Sequence, residues 1–224
     1  MKYVMTLLCL TGLVMIEAPL AAADVTAVYQ FSSPDGNGTQ TIQYRDAQHV
    51  RLQIAQQGDH NMSLLQLDQH IYMITGKTVQ DLNQLRQMLA MMGRAPQAKR
   101  QPKAPTDLHD SGKTERIAGI TGHIYTYTER GRQHEVVLAD DPRLQQVYAA
   151  FTAITDATSS LMPMDHATDA LPGNIKKMGL LRYDQTIRLQ SITTATIPKQ
   201  AFILPAKPQQ IGGMGAMMRG MVGH

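Results

Sequence analysis

Between Val25 and Ile74 the chain alternates with a period of two. Val25, Ala27, Tyr29 and Phe31 alternate with Thr26, Val28 and Gln30, and Ile42 and Tyr44 with Thr41, Gln43 and Arg45. Val50, Leu52 and Ile54 then alternate with His49, Arg51 and Gln53. Such a pattern turns one face of each strand to a core and leaves the other wet. Turn residues separate the runs: Pro34-Asp35-Gly36-Asn37-Gly38, which carries both Asp-Gly and Asn-Gly, then Asp46-Ala47, Gln57-Gly58-Asp59 and Asp68-Gln69. With Met62 to Leu67 and Ile71 to Ile74, five strands follow one another through tight turns, which predicts an antiparallel meander.

The period then lengthens. Thr78, with Asp81 three residues on, reads as a short capping box, and Val79, Leu82, Leu85, Met88, Leu89 and Met92 fall at helical spacing before Gly93. From Thr114 to Ala139 two β-rich runs flank a turn at Glu129 to Arg132, with Gly119 and Gly122 marking a bend or bulge in the first run. Asp140-Asp141-Pro142 opens a second helix whose stripe is Leu144, Val147, Tyr148, Phe151 and Ile154. Asp156 to Asn174 breaks into small residues and reads as a lid or crossover. Strands through Met178–Arg182 and Ile187–Ser191 flank the Tyr183-Asp184-Gln185 turn, and Ala201 to Pro205 closes the ordered part. The order of elements predicts an α+β fold with its helices lying on an antiparallel sheet.

Three stretches carry a resemblance: Ile117-Ala118-Gly119-Ile120 followed by Tyr125, then Glu135-Val136-Val137-Leu138-Ala139-Asp140, and the ending Phe202-Ile203-Leu204-Pro205. Over roughly the second half of the mature chain they resemble a family of uncharacterised periplasmic domains. Members of that family often have a Cys where this chain has Gly122. The family is similar in strand order to the periplasmic lipoprotein-carrier (LolA-like) superfamily. What this implies is a curved antiparallel sheet, an unclosed β-barrel, with two or three helices packed on its concave side, over residues 24–207.

The N-terminus changes the compartment. Lys2, the apolar run Val4 to Ile16 and Ala21-Ala22-Ala23 have the layout of a cleaved secretory signal, residues 1–23, of bacterial type. The run is shorter than the roughly 20 apolar residues a membrane anchor needs. Cys9, the only cysteine, lies inside it, so the mature chain is expected to have no thiol and to work in the periplasm without disulfides or Cys-ligated zinc. A formal net charge of +3 on 224 residues leaves no concentrated basic stripe for nucleic acid. Local basic character is confined to Arg94, Lys99, Arg100 and Lys103 among Pro96, Pro102 and Pro105, an exposed loop suited to transient contact with anionic headgroups at a membrane surface.

Catalytic patterns are missing: there is no Gly-x-Ser-x-Gly, no His-Glu-x-x-His, no phosphate loop and no Cys pair. Asp165 and His166 are adjacent and would point apart on an extended chain. The expected protein is not an enzyme and has no cofactor. The leading expectation is an apolar ligand (a lipid, acyl chain, lipoprotein cargo or apolar peptide) held in the concavity, with Tyr29, Ile42, Tyr44, Leu52 and Ile54 as walls and Leu161 and Met164 on a lid. A second is an envelope scaffold or partner-binding module with a filled core. The tail beyond Lys207, residues 208–224, lacks a periodic face and is expected to be disordered. Met214, Met217, Met218, Met221 and His224 in it form a candidate Cu(I) site, because thioethers are the soft donors left in a chain without thiols.

Overall fold

The alternating runs pair into one large antiparallel sheet in the computed structural model, which describes residues 23–34, 36–56, 61–91, 108–129, 131–158, 161 and 178–209. The first half contributes β1 (Val25–Ser33), β2 (Gly36–Asp46), β3 (His49–Gln56), β4 (Met62–Leu67), β5 (His70–Thr75) and β6 (Thr78–Asp81). The second contributes β7 (His109–Ile117), β8 (Ile120–Glu129), β9 (Arg132–Ala139), β10 (Gly179–Tyr183) and β11 (Ile187–Thr194). Helices α1 (Leu82–Met91) and α2 (Pro142–Thr158) follow β6 and β9, and a 3₁₀ helix spans Lys199–Phe202.

The 11 strands are ordered β6-β5-β4-β3-β2-β1-β11-β10-β9-β8-β7. Two meanders therefore meet where β1 pairs with β11, and β6 and β7 remain as edges of an unclosed sheet. Register follows the hydrophobic pattern: Ala27 faces Ile42, and Ile42 faces Leu52, which in turn faces Leu64. The largest core joins these residues to Tyr29, Leu189, Leu181 and Val137 and to the α2 stripe Leu144, Val147, Ala150 and Ile154. Helix α2 lies across β10, β1, β2 and β3, while α1 packs against β5. Gly179 permits this seating, since a Cβ there would stand 1.9 Å from Leu144 Cβ.

Strand β9 is buried on both faces. Val137 and Ala139 join the main core, whereas Val136 and Leu138 join Tyr127, Leu180 and Tyr183 in a second cluster. A third cluster, Leu65, Ile74, Val79, Ile197 and Phe202, is covered by the chain after β11. That segment is pinned along its length. Asp24 accepts the Ile197 N–H at 2.7 Å, Arg51 donates to the Ala201 carbonyl at 2.9 Å, and the Arg45 guanidinium lies 4.7 Å above the Phe202 ring. Gln209 N–H then reaches the Val79 carbonyl at 2.8 Å, on edge strand β6.

Three local expectations change. Thr78 does not cap a helix: Thr78 to Asp81 pair with Tyr72 to Thr75 as β6, and α1 starts at Leu82. The cap is Asp81, whose Oδ1 accepts the N–H groups of Asn83 at 2.9 Å and Gln84 at 3.3 Å. Asn37-Gly38 is not in the turn, because Ser33 already pairs with Gly36 and Gly38 lies in β2 opposite Phe31. A Cβ at Gly38 would meet the Phe31 ring at 2.4 Å, so the missing side chain is the seat of that ring. Gly119 is a turn residue and not a bend within a strand. Ala118 and Gly119 both have positive φ, 49° and 81°, and close a two-residue hairpin between β7 and β8. Gly122, by contrast, is buried in β8 with no room for a side chain, since a Cβ would meet Leu181, Leu138 and Val137 within 2.8 Å.

The lid residue Met164, the basic Pro-bearing segment, the signal segment through Ala22 and the Met-rich tail lie outside the described residues.

Candidate functional site

Between α2 and the sheet the side chains leave a cavity of about 580 Å³, within the range of roughly 300–1,000 Å³ typical of small-molecule sites. Its apolar body is made by Ile42, Leu52 and Ile54 from β2 and β3, by Leu144, Val147 and Phe151 from α2, and by Leu180 and Ile187. Local sequence explains each wall. Period two in β2 and β3 brings Ile42 opposite Leu52, and period 3.6 in α2 returns Leu144, Val147 and Phe151 to the side that faces the strands.

Tyr29 spans the wall. Its hydroxyl donates to the Leu180 carbonyl at 2.9 Å, and burial pushes the phenol well above its ordinary pKa, so it stays a neutral donor. This bond ties β1 to β10 across β11.

One end of the cavity is polar. Ser32, Ser33, Arg132, His134, Tyr183, Asp184 and Thr186 all line it, and register places them together. Phe31 pairs with Ile187, the Ser32 N–H donates to the Thr186 carbonyl at 2.8 Å, and Tyr183 pairs with Val136 two residues along from His134. The turns β1–β2, β8–β9 and β10–β11 therefore open at the same end of the sheet.

His134 is held on three sides. Its ring stacks on Tyr127 at 5.2 Å and on Tyr183 at 5.6 Å between centroids. Nδ1 lies 2.8 Å from Asp184 Oδ2 and 3.1 Å from the Tyr183 hydroxyl. A carboxylate can only accept, so Nδ1 carries a proton. The second Asp184 oxygen accepts the Glu135 N–H at 2.8 Å. Tyr127 donates to the Tyr183 hydroxyl at 3.1 Å, and burial raises the pKa of both phenols. With two tyrosines stacked on the ring and Nδ1 engaged, Nε2 is the ring nitrogen left for a ligand at this wall.

Of the residues singled out from sequence, Tyr29, Ile42, Leu52 and Ile54 line this cavity. Tyr44 does not: it pairs with Val25 and Val50, further along the strands, and packs against the main core. Leu161 also packs on that core, one turn past α2, its N–H bonded to the Thr158 carbonyl at 2.9 Å. The α2 stripe reads in sequence as plain core, yet its Tyr148 and Phe151 are cavity wall. His134, Tyr183 and Asp184 were missed, because Tyr183-Asp184 reads only as a turn, His134 sits alone in its run, and only the pairing of β9 with β10 joins them. Among the described residues no group of three or more His, Cys, Asp or Glu is placed to hold a metal ion, and no helix is long and apolar enough to cross a membrane. The five tail residues Met214, Met217, Met218, Met221 and His224 lie outside the described residues.

No protein-family model and no curated protein matches the chain. Among solved structures, the chain is similar to a structure of PNGF-II, at 9% identity and a TM-score of 0.30, with 88% of this chain and 33% of that one covered. The chain thus spans about a third of that structure's length, and so distant a likeness carries no argument about fold or activity.

Proposed function

We propose that the protein is a non-enzymatic periplasmic binding protein that holds an apolar ligand, an acyl chain, lipid or apolar peptide, in the hollow between α2 and a sheet curved around it, in the manner the resemblance to lipoprotein carriers implies. The observation that carries this is the cavity of about 580 Å³ whose body is aliphatic and aromatic side chains from two layers. A filled interior would have left α2 and the strands in contact throughout. Apolar walls favour cargo by removing its surface from water, at roughly 25 cal/mol per Å² buried. The basic Pro-bearing segment supplies membrane contact in this reading, and the signal segment supplies the compartment.

Native mass spectrometry of protein purified from a membrane-containing lysate tests it. The expected result is a population carrying the added mass of a single-chain amphiphile, lost when Ile54→Trp fills the cavity while the melting temperature holds. A chain that always emerges at its bare mass, from several lysates and after incubation with lipid vesicles, would leave the scaffold reading in its place.

A further inference from the structure

The cavity has two chemistries, and the second says what kind of apolar ligand it takes. A site for hydrocarbon alone has no use for a polar end that is held in one orientation. Here the ring of His134 is fixed by two stacked tyrosines and by Asp184 on Nδ1, which leaves Nε2 as the ring nitrogen for a ligand at the cavity wall. Arg132, two residues before it and also lining the cavity, is exposed and forms no ion pair or hydrogen bond among the described residues. Asp184, the acid on this wall, has both oxygens engaged, one by His134 and one by the Glu135 N–H. Thr186 adds a hydroxyl, though it donates to the Tyr183 carbonyl at 3.1 Å.

Resting on the binding function proposed above, we infer that the ligand is a single-chain amphiphile with an anionic head that also carries a hydroxyl. The chain occupies the Ile42, Leu52 and Phe151 body, the anion takes the Arg132 guanidinium, and the hydroxyl pairs with His134 Nε2. A guanidinium pairs with phosphate or carboxylate through a fork of parallel N–H groups, which suits an anion at the rim. A hydroxyl both donates and accepts, so it can pair with Nε2 while the Asp184 carboxylate holds Nδ1. Tyr127, which does not line the cavity, acts through the His134 ring it stacks on and is a positioning residue, and Tyr183, on the other tyrosine stack, also forms part of the wall.

The test uses the full chain and the displacement of a neutral fluorescent acyl probe. Palmitoyl lysophosphatidylglycerol, whose head has a phosphate and hydroxyls, is compared with monopalmitoylglycerol, which lacks the charge, and with glycerol 3-phosphate, which lacks the chain. Wild-type protein is expected to bind the lysophospholipid more tightly than the neutral lipid. Arg132→Gln should weaken the lysophospholipid about tenfold and leave the neutral lipid unchanged. His134→Phe, which keeps the stack between the tyrosines, should weaken both lipids, since both offer a hydroxyl. Arg132→Gln is exposed and unpaired, so its folding is not at issue. Equal affinities for the lysophospholipid in wild type and Arg132→Gln would overturn the head subsite while leaving the apolar cavity standing. Competition by glycerol 3-phosphate at the same concentration would overturn it in favour of a free phosphate. Failure of the acyl probe itself to bind removes the binding function, and a bound probe that neither lipid displaces overturns the amphiphile reading alone.

Discussion

At the scale of single residues, glycines and one arginine decide the most. Gly179→Ala would place a Cβ 1.9 Å from Leu144 Cβ, a clash with a helix and not with a movable side-chain tip. Overpacking of this kind costs about 1–3 kcal/mol, and the melting temperature should fall while Gly76→Ala, with nothing near its Cβ position, is limited to the strain of its φ of 58°. Arg182 is a different case. It is buried between Glu115, 2.9 Å away, and Glu135, and also donates to the Asp184 carbonyl at 2.9 Å. Burial alone would raise the Glu115 pKa, but hydrogen bonds from Arg188 and Arg182 together outweigh it and hold the carboxyl below its ordinary value. A carboxyl depressed in the folded state contributes stability above its unfolded pKa and loses it as pH falls through the folded one. Urea unfolding from pH 6 down to pH 2 should therefore show an acid-sensitive component, absent in Glu115→Gln, that fades below about pH 4, the ordinary carboxylate range. A parallel shift of both curves would show that Glu115 takes no part.

At the scale of elements, the start of α1 separates two readings of the same residues. Local spacing put a cap at Thr78, but the four residues Thr78 to Asp81 alternate buried and half-buried against β5. Four residues fit either period, so only the neighbouring strand selects one. Asp81→Ala should destabilise by about 1 kcal/mol through loss of the cap and of its 3.0 Å contact with His70, measured by urea unfolding, whereas Thr78→Ala should stay near neutral. The longer strands and α2 were legible because their runs satisfy one period and not the other. Sheet order was not, since nothing in Val25 to Phe31 says that it pairs with Ile187 to Thr194. The candidate site divides the same way. Its apolar walls follow from alternation in β2 and β3, but His134 meets Asp184 only through strand pairing across 50 positions of sequence.

At the scale of the whole molecule, the segment after β11 acts as an outer cover. Phe202 and Ile197 close the cluster over Leu65, Ile74 and Val79, and its polar bonds run from Asp24 to Val79. Phe202→Ala should destabilise by about 3–5 kcal/mol if the site does not collapse, and a chain ending at Thr194 should bind a hydrophobic dye through the uncovered strands. Dye binding equal to that of the full chain would show the cover to be dispensable. The placement of β1 beside β11 reaches further, into the order of events during folding. Gln190 bonds to Gln30 from 160 residues away, and Tyr29 to Leu180 from 151. A chain made from its N-terminus carries β1 with one open edge until β11 has been synthesised, and contacts this distant in sequence form slowly. The first meander alone is an unfinished sheet with an exposed edge and half a core. The central seam of the sheet therefore closes only when β11 arrives to pair with β1, which makes the last strand in sequence the gate to the native state.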